Sequence, residues 1–72
     1  MILFSAVWCP HCQKVKQYLE QNPTSAVSIC DVDKDFDTPK FYGVKQLPAL
    51  LRADGDLMVE SLDIIEYIKE NA

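Results

Sequence analysis

Two cysteines stand three positions apart in WCPHC, Trp8 to Cys12, directly after the apolar run MILFSAV. That spacing serves three chemistries: half of a metal site, a small covalent staple, or a reversible dithiol–disulfide couple. A structural zinc site needs four ligands, usually as two separated pairs, and beyond Cys9, His11 and Cys12 the chain offers only Cys30 as a further soft ligand. His11 lies between the two cysteines, poorly placed to turn toward the same ion, so no metal site is expected. A staple closing so small a ring removes only about 2 kcal/mol of unfolded-chain entropy in the loop model. As a redox couple the spacing works. Residues three apart on a helical turn stand about 5–6 Å apart, inside the Cα separation of roughly 4.4–6.8 Å that a disulfide tolerates. Dithiol and disulfide then fit one backbone.

Reactivity depends on the elements that hold the pair. MILFSA reads as a short buried strand of branched and aromatic residues, and Pro10 suits a first helical turn because no hydrogen-bonded N–H is needed there. Cys9 therefore lies at a helix start, where its sulfur can reach unpaired backbone N–H groups, while Cys12 is a turn further in and faces the body of the domain. Helix-end electrostatics, worth up to about 2 kcal/mol in favourable geometry, lower the pKa of the Cys9 thiol. His11 reads either as a modulator coupled to the thiolate or as an exposed polar residue. Trp8 reads either as a lip for docking partners or as a cover on the core.

The rest of the chain supplies the frame. Cys12, Val15, Tyr18 and Leu19 recur at helical spacing until Asn22-Pro23 stops the helix, and AVSICDV, Ala26 to Val32, reads as a second strand. A strand, a helix and a strand make a right-handed parallel unit. DKDFDTPKFYG holds a short helix with Thr38 before Pro39 and Gly43 at its end. Asp54-Gly55 between two apolar runs predicts that Ala49–Ala53 and Leu57–Glu60 pair as an antiparallel hairpin. Ser61 then caps a last helix with Leu62, Ile65 and Ile68 on one stripe, supported by Ile64 and Tyr67, and with Asp63 and Glu66 near its positive end. The order is βαβ, α, ββα, in a single domain over residues 1–72.

Composition narrows the class. The 72 residues are 49% hydrophobic with few Gly and Pro, which argues for a packed globule. A net charge of −4 leaves no basic surface for nucleic acid, and no apolar run approaches the roughly 18 residues that span a bilayer. MILFSAV lacks a basic leader and a small-residue cleavage site, so it reads as an internal strand. Three cysteines are too few and too odd in number for a disulfide-stapled secreted scaffold, which points to a reducing, cytoplasmic setting. The alternating Asp31, Asp33, Asp35 and Asp37 open like a calcium loop. The match fails at its sixth and twelfth positions, Phe36 and Tyr42, leaving a solvated, helix-capping acidic turn.

With these residues in place, the whole chain resembles a minimal thioredoxin-fold redoxin close to the glutaredoxins. CPHCQKVK is similar to a glutaredoxin active-site helix, WCPHC keeps the tryptophan of thioredoxins, and CPHC is the pair of strongly oxidising periplasmic disulfide oxidases. YGVKQLPAL, Tyr42 to Leu50, resembles the segment before the third strand in thioredoxins and in redoxins dedicated to ribonucleotide reductase.

The resemblance implies an α/β minimal thioredoxin fold: a four-stranded mixed sheet of order 2-1-3-4 with three helices and a cis Pro48. It implies catalysis by Cys9 and Cys12, modulated by Trp8, Pro10 and His11. Leu47 and Pro48 would offer backbone to a substrate chain or to glutathione, and Ser61 and Asp63 would hold glutathione. Two departures stand out. Thioredoxins bury an aspartate and a lysine where this chain has Leu3 and Ile29, and glutaredoxins carry Gly-Gly where it has Val59 and Glu60. The activity implied is a dithiol–disulfide oxidoreductase that reduces protein disulfides, possible substrates including ribonucleotide reductase. It needs no bound cofactor and takes electrons from glutathione or thioredoxin reductase. A disulfide oxidase or isomerase and a non-catalytic binding module are the alternatives, and a monomer is expected. Cys30 reads as an inert buried thiol, with a regulatory or dimer-forming role as the alternative.

Overall fold

Branched and aromatic residues at the start of the chain form strand β1 (Ile2–Ser5), which becomes an inner strand of the sheet. The structure is a computed structural model and describes all 72 residues. Helix α1 (Pro10–Gln21) crosses back over the sheet to β2 (Ser28–Asp31), which pairs parallel with β1 through Leu3 opposite Ile29 and Phe4 opposite Cys30. A short α2 (Asp37–Phe41) leads to β3 (Ala49–Leu51), antiparallel to β1, and β4 (Leu57–Met58) pairs antiparallel with β3. Helix α3 (Ser61–Asn71) closes the chain. The order β2-β1-β3-β4 with three helices is that of a minimal thioredoxin fold.

Side chains that alternate along a strand sort the two faces of the sheet. Leu3 and Leu50, cross-strand partners, point to the face covered by α1 and α3 and form the main core with Val15, Ile64 and Ile68. Burying a side chain of this size contributes about 1.5–3 kcal/mol. Phe4 points the other way, its ring 6.2 Å from that of Tyr42 just after α2.

Three local expectations change. The hairpin strands are shorter than Ala49–Ala53 and Leu57–Glu60, because the loop takes three residues. Arg52 N–H donates to Asp56 O at 2.8 Å, Gly55 N–H donates to Arg52 O at 3.1 Å, and Gly55 takes φ 92°, the left-handed position such a loop requires. Arg52 also pairs with Asp54 and lies 5.3 Å over the Tyr67 ring, fastening the hairpin to α3. Second, Ser61 is the first helical residue rather than the cap; Glu60 holds the cap position without a side-chain bond. The buried stripe of α3 is Ile64 and Ile68, and Leu62, 73% exposed, projects from the opposite side. A 100° advance per residue separates positions 62 and 64 by more than half a turn, so Leu62 cannot share their face. Third, α2 begins at Asp37, so Thr38 lies inside its first turn. Asp35 caps it instead, accepting from the Thr38 amide at 3.1 Å and the Thr38 hydroxyl at 2.7 Å. Its end follows a Schellman pattern. Gly43, at φ 75°, donates to Lys40 O and Val44 donates to Pro39 O.

Candidate active site

Cys9 occupies the cap position of α1 in an extended conformation (φ −95°, ψ 110°), with Pro10 as the first helical residue. Its sulfur accepts a hydrogen bond from the Cys12 amide at 3.2 Å, the orphan N–H that a serine or aspartate cap would otherwise satisfy. Cys9 and Cys12 are joined as a disulfide with their Cα atoms 5.2 Å apart. Cys12 is fully buried and Cys9 is 4% exposed, and both pack with Ala6, Val32 and Leu47. An amide aimed at a sulfur favours its thiolate over its thiol, and here the sulfur so placed is that of Cys9.

A cleft of about 510 Å3 opens beside the pair. One wall is the solvent side of α1, His11 and Lys14; the floor is Gln46, Leu47 and Pro48, with the Leu47–Pro48 bond cis; the far wall is Val59 to Asp63 at the start of α3. The cleft thus gathers His11, Leu47, Pro48, Ser61 and Asp63 from three separate stretches of sequence. Lys14 and Gln46 also line it and had no sequence motif to mark them. The one usable signal was that Lys14 follows His11 by a single helical turn. Leu62, out of place in the core, is part of this wall.

On the other side Trp8 is 65% exposed, so it does not cover the core. Its indole N–H donates to Asp33 Oδ1 at 3.3 Å, and it borders a notch of about 300 Å3 with Val32, Pro39, Val44 and Leu47. Two carboxylates of the acidic turn accept from nearby backbone: Asp35 from the Thr38 amide and Asp31 Oδ1 from the Asp33 amide at 2.9 Å. Cys30 is partly rather than fully buried, and its sulfur lies 3.9 Å from Asp35 Oδ2. Burial first, then the negative charges of Asp35 and Asp31, push its thiol pKa up and keep it protonated.

Residues 3–72 match the family model for the glutathione S-transferase N-terminal domain. The chain belongs to that family. Among solved structures it is similar to the germline-specific thioredoxin Deadhead of Drosophila melanogaster, at TM-score 0.72 and 20% identity, covering 99% of this chain and 78% of that one. A malarial protein matches at TM-score 0.63 and 26% identity, covering 96% and 91% of the two chains. A structural-genomics target from X. campestris matches at TM-score 0.59 and 18% identity, covering 99% and 97%. Comparison with curated proteins gives no match. The chain is a thioredoxin-like redoxin in its fold, as CPHC led us to expect. That architecture supports a function of redox type.

Proposed function

We propose that this thioredoxin-like protein is a dithiol–disulfide oxidoreductase that reduces protein disulfides through Cys9 and Cys12. The observation that carries the reading is the Cys9 sulfur at the start of α1, bonded to Cys12 and facing that residue's amide. In the reduced protein the Cys9 thiolate attacks one sulfur of a substrate disulfide. The substrate S–S bond breaks, a mixed disulfide forms, and the first substrate thiolate leaves and takes a proton. Cys12, as thiolate, then attacks the Cys9 sulfur, closes the Cys9–Cys12 bond and releases the second substrate thiolate. Two electrons have passed to the substrate, and a thiol donor must return them. Pro10 starts the helix that carries the pair, and Trp8 and His11 flank it.

Glutathione is the donor this reading favours. The cleft beside the pair holds cationic Lys14 on one wall and Ser61 and Asp63 on the other, complementary to a small peptide carrying carboxylates and an amine. The family to which the chain belongs is named for glutathione. Thioredoxin reductase is the other donor, argued by Trp8, by KQLP and by Val59-Glu60 in place of glycines. The substrates are protein disulfides, ribonucleotide reductase among them by resemblance of YGVKQLPAL, and the setting proposed is a monomer in the cytoplasm. A transferase of glutathione has no need of a second sulfur at the helix start, so the Cys9–Cys12 bond argues for dithiol exchange.

NADPH consumption during insulin-disulfide reduction, coupled in parallel to glutathione with its reductase and to thioredoxin reductase, tests both activity and donor. Turnover with glutathione that disappears in Cys9→Ala is the expected result. Equal turnover in Cys9→Ala would refute the assignment. A reduction potential well above about −200 mV would instead favour a net oxidase or isomerase.

A further inference from the structure

We propose that Ser5 is a positioning residue for the Cys12 sulfur: its hydroxyl becomes a hydrogen-bond donor to Cys12 once the Cys9–Cys12 bond is open. The inference rests on the dithiol–disulfide reading above. Ser5 ends β1 and is the one fully buried polar residue of the chain. With the disulfide closed, its Oγ has no hydrogen-bond partner. Buried polar groups are almost always paired, so this hydroxyl calls for a state that satisfies it.

Placement points to Cys12. Residues two apart on a strand share a face, so Ser5 faces the layer under α1 with Leu3, which packs in one cluster with Val15. Helix α1 runs back over β1. Stepping three residues from Val15 toward the helix start, about 4.5 Å, therefore follows the same direction as stepping two residues from Leu3 to Ser5, about 6.6 Å. Both steps end at fully buried residues, Cys12 and Ser5. Ala6, the next residue after Ser5, packs with Cys9 and Cys12.

The chemistry follows from what each state of that sulfur accepts. Reduction by two glutathione thiols releases one glutathione disulfide and leaves two electrons and two protons on Cys9 and Cys12. A disulfide sulfur is a weak acceptor, whereas the Cys12 thiolate that must resolve the mixed disulfide is a charged one in a buried site. A hydroxyl aimed there stabilises the reduced form over the oxidised form and lowers the Cys12 pKa.

The test equilibrates the wild type, Ser5→Ala and Ser5→Thr with glutathione redox buffers and counts alkylated thiols by mass. Losing the hydroxyl in Ser5→Ala is expected to shift the equilibrium about tenfold toward the disulfide, about 30 mV for a two-electron couple, while Ser5→Thr stays near the wild type. Thiolate absorbance in a Cys9→Ser background should give a higher Cys12 pKa when Ser5→Ala is added. Melting midpoints complete the test: Ser5→Ala should raise that of the oxidised protein relative to the reduced one. An unshifted equilibrium with an unshifted Cys12 pKa, or equal changes in the two melting midpoints, overturns the assignment of Ser5 alone. A wild type that exchanges with neither glutathione nor insulin removes the parent reading and this one with it.

Discussion

The amide of Cys12 points at the sulfur of Cys9 from 3.2 Å, so the buried cysteine contributes its backbone to the reactivity of the outer one before its own sulfur takes part. The two positions therefore have unequal surroundings. Cys9 sits where a helix has unpaired donors, and Cys12 sits where solvent does not reach.

Replacing Cys12 with Ser keeps that amide and removes the sulfur that the proposed mechanism uses to resolve the mixed disulfide. Cys12→Ser should form a mixed disulfide with a protein substrate and hold it, visible as a covalent adduct by non-reducing electrophoresis and mass. Cys9→Ser should form none. An adduct of the same yield on Cys9→Ser would reverse the roles.

Trp8 stands in solvent beside the notch, held by Asp33. In the proposed reaction an exposed indole of this kind would meet a large partner and leave a small one untouched. Trp8→Ala should raise KM severalfold for insulin with little change for a low-molecular-weight disulfide, measured as initial rates over substrate concentration. Equal losses on both substrates would assign Trp8 to the chemistry instead.

Cys30 is held protonated by burial and by Asp35 and Asp31. In the reduced protein near pH 7, iodoacetamide should label Cys9 well before Cys30. Asp35→Asn removes one of the charges that raise the Cys30 pKa and keeps an acceptor for Thr38, so Cys30 alkylation should speed up severalfold at pH 8. Peptide mapping over time reads both rates.

Asp35 itself has a lowered pKa, first because the Thr38 hydroxyl and then the Thr38 amide donate to it. A carboxyl whose folded pKa lies below its unfolded one stabilises the fold above the unfolded value, and that contribution is lost as pH falls through the folded value. The melting midpoint should therefore drop as pH goes below about 4. Asp35→Asn should flatten part of that drop; an unchanged slope would deny the carboxylate its capping role.

Gly43 ends α2 at φ 75° with open space where a Cβ would stand. The cost of Gly43→Ala is then backbone strain alone, about 1–2 kcal/mol, read from the urea midpoint at constant slope.

How far the chain could be read in advance differs from element to element. Pro10 and Asn22-Pro23 bracket α1, and both ends fell within a residue of expectation because proline acts on its own turn. Asp54-Gly55 located the hairpin but not its length, since a three-residue loop and a two-residue loop share that dipeptide. The apolar spacing of Ser61–Asn71 marks helix α3 without fixing its buried stripe. Leu62 and Ile64 are equally apolar in sequence, and only the sheet beneath them selects Ile64.

The amino-acid sequence by itself determined the cysteine pair, its seat at a helix start and the βαβ, α, ββα order, because each depends on residues within one turn or strand of one another. Tertiary structure alone decided that His11, Pro48 and Ser61 share one cleft and that Asp33, distant in sequence from Trp8, holds its indole. It also decided that Ser5 keeps a buried hydroxyl without a partner. These relationships join segments far apart along the chain, and they exist only once the sheet has set the segments side by side.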